Sequence, residues 1–230
     1  VSTPGSRTSS APKSPLAPPP NQRHVERKTV KGMLHKHAVI ACICLCFLSG
    51  CVAPESLDDE RASTPPINMS FEAPTLDRIE DGGATFNLQE RLADGPVLML
   101  WIGASCSGCH DWTELIKTAM DEGAFNNSSM SVVSVHRWAQ YESLEEVHET
   151  FAVESNETYY TPWTVVTPST TTPTLEFGTD DDTGYPVYEA YGNPGTPTLQ
   201  VIDQAGALVW QSKTYWANET LLGEAISFFD

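Results

Sequence analysis

Basic residues are scarce over most of this chain. Of its thirteen Lys and Arg residues, seven lie in residues 1–50, which hold a single acid, Glu26. The rest of the chain therefore carries 13 − 7 = 6 basic against 30 − 1 = 29 acidic residues, a formal net charge of −23. A surface of this sign repels phosphates, which argues against DNA or RNA as a partner.

Cysteine is nearly absent from the part of the chain that can fold. Four of the six cysteines lie in or beside one apolar run, residues 38–53: Cys42, Cys44, Cys46 and Cys51. Only Cys106 and Cys109 remain, so a framework of several structural disulfides is excluded. A single pair can be a structural bond, a redox centre or part of a metal site, and its surroundings must decide.

The chain also lacks an apolar run long enough for a membrane-spanning helix. The run at residues 38–53 has sixteen residues, whereas a spanning helix needs about 20. Sixteen residues is the length of a signal-peptide core, and "MLHKH", Met33 to His37, supplies a basic and titratable flank before it. We therefore expect residues 33–50 to be a signal peptide.

The signal core ends in "LSGC", residues 48–51, which resembles the lipobox of prokaryotic lipoproteins. In that family the chain is cut after the residue at the position of Gly50, and the residue at the position of Cys51 carries the lipid. The resemblance implies a start at Met33. Residues 1–32 would then be an upstream extension, rich in Pro and Ser and expected to be disordered if translated.

An uncleaved signal anchor, with residues 1–37 in the cytoplasm, is the alternative. Both interpretations put the positive flank inside and the acidic part of the chain outside. We therefore expect an extracytoplasmic domain on the outer face of the cell membrane. There a cysteine pair can be stably oxidised.

Residues 51–72 are acidic and rich in Pro and Ser, and we predict that they form a flexible tether. The folded domain is predicted at 73–230. Its strongest element is "GPVLMLWIG", residues 95–103, a continuous apolar run typical of a strand buried on both faces. Apolar residues at helical spacing, closed by Gly123, predict a helix over 109–123. The dithiol thus lies where a strand ends and a helix begins.

The remaining elements alternate in type along the chain. Strands are predicted at 129–138, 161–168, 193–203 and 207–212, of which the last two form a hairpin. Helices are predicted at 142–152, 185–192 and 218–230, with Asn218 as the cap of the last. The polar stretch at 169–184 is predicted to be a loop. This order indicates an α/β fold with a central mixed sheet flanked by helices.

Two blocks, "WIGASCSGC" after the buried strand and "GTPTLQVIDQAGALVW" near the end, resemble the thioredoxin superfamily. The likeness covers about residues 73–230 and is strongest to membrane-tethered thiol–disulfide reductases and the redoxin group. It implies a thioredoxin-like fold and an enzyme that exchanges disulfides with protein thiols, without a cofactor. A membrane electron donor or acceptor would be the second partner. It also implies a cis-proline at Pro197, lying against the cysteine pair, with the backbone of Thr196 pairing with the substrate.

Two cysteines at positions i and i+3 that open a helix lie on one turn, close enough to form a bond. The unpaired N–H groups and partial positive charge of the helix N-terminus stabilise a thiolate. Cys106 lies nearer that end and is predicted to be the exposed nucleophile. Cys109 is predicted to attack the mixed disulfide and release the product.

Other uses of the pair remain open from the sequence. "CSGCH" matches the attachment signal for c-type haem, with His110 as an axial ligand, but here a buried strand precedes the motif. A copper chaperone would add His136 or His148, although three residues usually separate the cysteines of those proteins. A peroxidase would need polar support where this chain has Met99 and Gly103. A structural disulfide would close a loop too short to stabilise much, leaving a domain that only displays surfaces.

The chain departs from the thioredoxin pattern beside its cysteines. Ser105 stands where Trp is common, and neither residue between the cysteines is Pro, so the direction of electron flow is left open. Relatives use a buried acid to pass a proton to the second cysteine. Glu90 is the nearest acid before the motif, and we interpret it as a solvated surface residue. We expect His136 and His148 to be partly exposed, and His110 to be an exposed residue that modulates the local field.

Overall fold

The computed structural model describes residues 64–125 and 130–228. The predicted extension, the signal peptide, the lipid site at Cys51 and most of the predicted tether lie outside these described residues. Among the helices of the described part, none combines the length and the apolar character needed to cross a membrane.

The elements follow one another as strands and short helices. The strands are β1 (Met69–Pro74), β2 (Thr85–Asn87), β3 (Val97–Ile102), β4 (Ser131–His136), β5 (Thr164–Val166), β6 (Pro173–Glu176), β7 (Asp182–Pro186), β8 (Thr198–Ile202) and β9 (Leu208–Ser212). The helices are α1 (Leu88–Leu92), α2 (Ser107–Asp121), α3 (Leu144–Phe151), α4 (Val187–Ala190) and α5 (Glu219–Ser227). A single 3₁₀ turn spans Ile79–Asp81 in the described chain.

Strand β3 lies at the centre of a five-stranded sheet with the order β5-β4-β3-β8-β9. β3 runs parallel to β4, and β4 runs parallel to β5. β8 is antiparallel to both β3 and β9. The predicted mixed sheet is confirmed, including the hairpin of β8 and β9. Because β3 is the central strand, the dithiol that follows its carboxyl end lies near the middle of the sheet's width.

Alternate side chains of β3 enter two apolar cores, one on each face of the sheet. Leu98, Leu100 and Ile102 pack on the face that also holds Trp112 and Ile116 of α2. The intervening β3 residues pack on the other face, among side chains of β1 and α4. All six residues of β3 are buried, which explains the continuous apolar run in the sequence. This packing fixes the start of α2 against the end of β3.

A second sheet, with the order β2-β1-β6-β7, corrects the prediction of a loop at 169–184. Its strand β6 and the first part of β7 lie within that polar stretch, and the two strands form an antiparallel hairpin that extends to Pro186. Thr174 is wholly buried, and its hydroxyl donates to the carbonyl oxygen of Tyr185 at 2.8 Å. The hairpin is stabilised by backbone pairing and a satisfied threonine rather than by apolar alternation, so the sequence carried no strand signal there.

Strand β1 begins at Met69, inside the segment 51–72 that was predicted to be a tether. Met69, Phe71 and Ala73 alternate into the core, as the two-residue period of a strand requires. The backbone of β1 pairs with both β2 and β6. The folded chain therefore starts a few residues before the expected boundary at 73.

A buried ion pair ties the segment after β1 to the central sheet. Arg78 donates to the Asp81 carboxylate, and both side chains are almost fully buried. The guanidinium also donates to carbonyl oxygens of Phe151 and Trp163, and Asp81 accepts the N–H of Val165. Every charge is thus hydrogen-bonded, as burial of an ion pair demands. The contacts fix the end of α3, whose Phe151 reaches the dithiol region.

Candidate active site

Cys106 and Cys109 form a disulfide at the start of α2, with their Cα atoms 5.2 Å apart. Cys106 is the N-cap of the helix, and its sulfur accepts the N–H of Cys109 at 3.2 Å. Cys109 is wholly buried, whereas Cys106 is partly exposed. A partner can therefore reach Cys106 more easily than Cys109, as the sequence predicted.

The N-terminus of α2 presents its positive end to these sulfurs. The first turn contains no acidic residue that would cancel this field. A thiolate at Cys106 would accept the same Cys109 N–H that the disulfide sulfur accepts now. Helix N-termini lower thiol pKa values through this combination of an N–H donor and the helix dipole. The local structure is therefore suited to a reactive thiol at Cys106.

Gly108, between the cysteines, is enclosed by two other segments. A Cβ atom built on Gly108 would lie 3.1 Å from Cδ of Pro197 and closer still to the carbonyl oxygen of Tyr215. The Thr196–Pro197 peptide is cis, as the resemblance implied. The structure thus brings the cysteine pair and Pro197 together. It also adds the loop around Tyr215, which the sequence did not single out.

Thr196 lies next to the same contact. Its hydroxyl accepts the indole N–H of Trp138 at 2.9 Å. Its backbone N–H and C=O make no hydrogen bond to another residue in the described ranges. These groups are therefore available to pair with an extended chain bound beside the dithiol.

The segment 213–217 packs on the first turns of α2 through two hydrogen bonds. Trp112 donates its indole N–H to the carbonyl oxygen of Thr214 at 2.9 Å, and Asp111 accepts the N–H of Ala217 at 2.7 Å. Between these anchors, the rings of Tyr215 and Trp216 lie edge to face and are 45% and 61% exposed. Two exposed aromatic rings beside a partly exposed cysteine form a surface suited to an apolar partner segment.

The predictions for the three histidines are only partly right. His110 is half-buried rather than exposed, and burial lowers its pKa. Its ring stacks on Tyr159 at 3.9 Å, and its Nε2 lies 2.9 Å from the carbonyl oxygen of Ala104. His136 is wholly buried instead of partly exposed, because it ends β4 underneath the loop before Cys106. His148 is exposed on α3, whereas partial exposure was expected.

The metal alternative finds no support in the geometry. Within the described ranges, no group of three or more His, Cys, Asp or Glu side chains is arranged to hold a metal ion. His136 instead binds the carboxylate of Glu142, with 3.0 Å between Nε2 and Oε2. Glu142 carried no sequence signal, because Ala104 and Ser105, whose N–H groups it accepts, lie 38 and 37 positions earlier in the chain.

The buried acid found near the second cysteine of relatives has no counterpart among the described neighbours of Cys109. The hydrophobic cluster that contains Cys109 also includes Leu100, Ile102 and Trp112, and the Cys109 sulfur lies 3.9 Å from the carbonyl oxygen of Trp101. Glu90 is an exposed residue of α1, as predicted.

Comparisons with known proteins add the following. No protein-family model matches the chain, and a search of curated proteins gives no match. Among solved structures, the thioredoxin domain of a thiol-disulfide oxidoreductase from Bacteroides vulgatus is 19% identical, covering 74% of this chain and 99% of that one at a TM-score of 0.48.

Two proteins of Mycobacterium tuberculosis give comparable values. A secreted disulfide oxidoreductase described as homologous to E. coli DsbE is 16% identical, covering 69% of this chain and 96% of that one at a TM-score of 0.44. Peroxidoxin BcpB is 16% identical, covering 71% and 94% at a TM-score of 0.44.

The fold follows from the topology of the chain itself. A mixed sheet with β3 at its centre, a Cys-x-x-Cys disulfide opening the next helix and a cis-proline before β8 together define a thioredoxin-like fold. The predicted fold class is therefore confirmed.

The enclosure of Gly108 predicts the effect of adding one methyl group. We expect Gly108→Ala to lower the free energy of unfolding of the oxidised protein by about 2 kcal/mol, because the methyl group overpacks the contact with Pro197 and Tyr215. Gly223→Ala is the matched control, since that helical glycine faces open space. It should raise stability by roughly 0.5–1 kcal/mol. Urea unfolding measures both, and equal stability of the two variants would contradict the packing argument.

Proposed function

We propose that this protein is an extracytoplasmic thiol–disulfide oxidoreductase that exchanges disulfides with protein partners through Cys106 and Cys109. The observation that carries the proposal is the placement of the disulfide. Its partly exposed sulfur caps a helix, its other sulfur is buried, and Pro197 packs beside the turn between them. A bond that served only the fold would not require one sulfur to face solvent at a positive helix end.

The exchange begins from the reduced pair. The Cys106 thiolate attacks one sulfur of a partner disulfide, forming a mixed disulfide and releasing the other partner sulfur as a thiolate. Cys109 then loses its proton and attacks the sulfur of Cys106. The mixed disulfide breaks, the second partner thiol leaves and the Cys106–Cys109 bond forms. Two electrons have then passed from the pair to the partner, and the reverse sequence oxidises a dithiol.

Binding of the partner is assigned to the groups around the dithiol. The free backbone groups of Thr196 would pair with an extended segment on one side of the partner cysteine. The exposed rings of Tyr215 and Trp216 would contact apolar side chains on the other side. Backbone pairing supplies affinity without sequence preference, while the rings favour apolar neighbours of the reacting cysteine. Protein disulfides are therefore a more suitable substrate class than small thiols.

Cysteine variants of the full chain test the two assigned roles. Cys106→Ser should reduce the rate of insulin disulfide reduction to background, because the nucleophile is lost. Cys109→Ser should instead accumulate a covalent complex with insulin through Cys106, which non-reducing electrophoresis detects. Cys51→Ser, a matched substitution that leaves the pair intact, should retain activity. Reduction of insulin by Cys106→Ser at the unsubstituted rate would contradict the mechanism.

The membrane tether is part of the proposal and rests on the sequence of residues 33–51. Cleavage before Cys51 and lipidation of its sulfur would hold the domain on the outer face of the membrane. There an electron donor or acceptor in the membrane would reset the pair. The acidic segment that follows Cys51 suits a solvated link.

Fractionation of cells that express the full chain tests the lipid site. The unsubstituted protein and the Cys46→Ser control should sediment with membranes as lipid-linked proteins. The Cys51→Ser variant should not form the lipid-linked protein. Mass spectrometry of the N-terminal peptide should show acyl chains on Cys51. An unmodified Cys51 in a membrane-bound protein would favour the uncleaved signal anchor instead.

A further inference from the structure

One carboxylate binds the loop that leads into Cys106. Oε2 of Glu142 accepts the N–H of Ala104 at 2.7 Å. Oε1 accepts both the N–H of Ser105 at 3.1 Å and its hydroxyl at 2.8 Å. Glu142 comes from the turn before α3, so these bonds join two segments that are distant in sequence. The two residues that precede Cys106 are thus held by a single side chain.

The same carboxylate is held from beneath by β4. Nε2 of His136 lies 3.0 Å from Oε2 of Glu142, and His136 is wholly buried at the end of that strand. His136 pairs in register with Ile102, so both lie directly under the loop. A Cβ atom on Gly103 would lie 3.3 Å from Oε1 of Glu142 and 2.7 Å from the ring of Trp138. The loop therefore packs too closely against Trp138 for a side chain at 103, and the carboxylate of Glu142 is in tight contact with the same position.

Both backbone polar groups of Ala104, the N–H and the C=O, are hydrogen-bonded. Its N–H donates to Glu142, and its carbonyl oxygen lies 2.9 Å from Nε2 of His110. In this geometry the Nε2–H tautomer of His110 is the donor. Since His110 follows Cys109 directly, the loop is bound to the helix that carries both cysteines. Movement of Glu142 would be transmitted to Ser105 and then to Cys106.

The negative charge of Glu142 opposes the positive field at the N-terminus of α2. Burial acts to raise the pKa of Glu142, but hydrogen bonds from Ala104, Ser105 and His136 outweigh it, and the pKa is lowered. Burial lowers the pKa of His136 despite the contact with Glu142. At neutral pH the pair is therefore a carboxylate beside a neutral imidazole. A full negative charge is thus hydrogen-bonded to Ala104 and Ser105, the two residues before Cys106, whereas the helix N-terminus supplies only a partial positive charge.

The titratable groups beside Ser105 and on α2 add no positive charge near Cys106. A cavity of about 220 Å³ beside Ser105 is lined by Glu146 and Glu149 of α3, with no Lys or Arg among its lining residues. Asp111 lies on α2, where it binds the Ala217 N–H. His110 has a pKa lowered by burial and adds no positive charge at neutral pH. The lining of this cavity and the first turn of α2 thus hold no Lys or Arg, while the guanidinium of Arg137 stacks on Trp138 and donates to the carbonyl oxygen of Pro194.

We propose that Glu142 is a positioning residue that sets the reactivity of Cys106 by clamping the loop at 104–105 and by opposing the helix field. The carboxylate makes the Cys106 thiolate less stable, which destabilises the reduced pair relative to the disulfide. The pair is thereby biased toward giving electrons to a partner disulfide. This inference rests on the proposed function, since it assigns that function a direction.

The charge-removing variant Glu142→Gln tests the proposal in the full-length protein. After chemical reduction, the rate of Cys106 alkylation by iodoacetamide is followed against pH. The acid dissociation constant of the Cys106 thiol should rise about fivefold, as expected for loss of one nearby charge. The equilibrium with reduced and oxidised glutathione should shift about threefold toward the dithiol. Glu145→Gln, which removes an exposed charge from the first turn of α3, is the control and should change neither quantity.

A purely structural role would alter access to Cys106, and so the plateau rate at high pH, without moving the midpoint of the profile. An unchanged midpoint and an unchanged glutathione equilibrium in Glu142→Gln would overturn the proposal. Should that variant fold poorly, Ser105→Ala carries the test, because it keeps the charge and removes one hydrogen bond that compensates it. The midpoint pH should then rise, which corresponds to an acid dissociation constant of the Cys106 thiol about twofold smaller. A fall in the midpoint pH would overturn the proposal.

Both readouts use small reagents and need no partner protein. A protein that fails to reduce insulin but shows the predicted shifts would contradict the proposed function alone. A protein that reduces insulin while Glu142→Gln leaves the Cys106 titration unchanged would contradict only the role of Glu142.

Discussion

The N–H of Cys109 binds the sulfur of Cys106 at the first turn of α2, and the geometry of the site follows from this one contact. It fixes the two sulfurs at the positive end of a helix, one partly exposed and one buried. It also places Gly108 on the inner side of the turn, where Pro197 and the backbone at Tyr215 leave no room for a side chain. The pair can open and close only if this turn keeps its shape.

Two opposing electrostatic influences act on Cys106. The N-terminus of α2 favours a thiolate, whereas the carboxylate of Glu142 disfavours it. Glu142 remains ionised because Ala104, Ser105 and His136 all bind it, so its charge is built into the fold. The balance of these influences, rather than the Cys-x-x-Cys motif alone, determines whether the pair donates or accepts electrons.

Sequence patterns predicted the parts of the fold that depend on local regularity. The apolar run over β3, the amphipathic helix after the cysteines and the cap at Asn218 are all found, because each is encoded by neighbouring residues. The β6–β7 hairpin was not predicted, since the buried residue of β6, Thr174, is polar. The burial of His136 was not predicted because only the tertiary structure places the loop at 104–105 over the end of β4.

The residues of the site divide in the same way. Cys106, Cys109 and the Thr196–Pro197 dipeptide could be recognised from motifs and their order. Glu142 and Tyr215 could not, since their contacts join segments that no short pattern relates. Such residues are found by following the backbone hydrogen bonds around a nucleophile, because a carboxylate that binds two successive N–H groups near a thiol affects both its position and its charge.

The most direct test of the account is the reduction potential of the Cys106–Cys109 pair in the full-length protein, measured against defined ratios of reduced and oxidised glutathione. The account predicts a pair that equilibrates readily, with a potential in the range of catalytic dithiols, roughly −270 to −120 mV. Its acidic surroundings predict a value toward the reducing end of that range. A potential below about −300 mV, with no exchange in glutathione, would identify a structural disulfide and contradict the account.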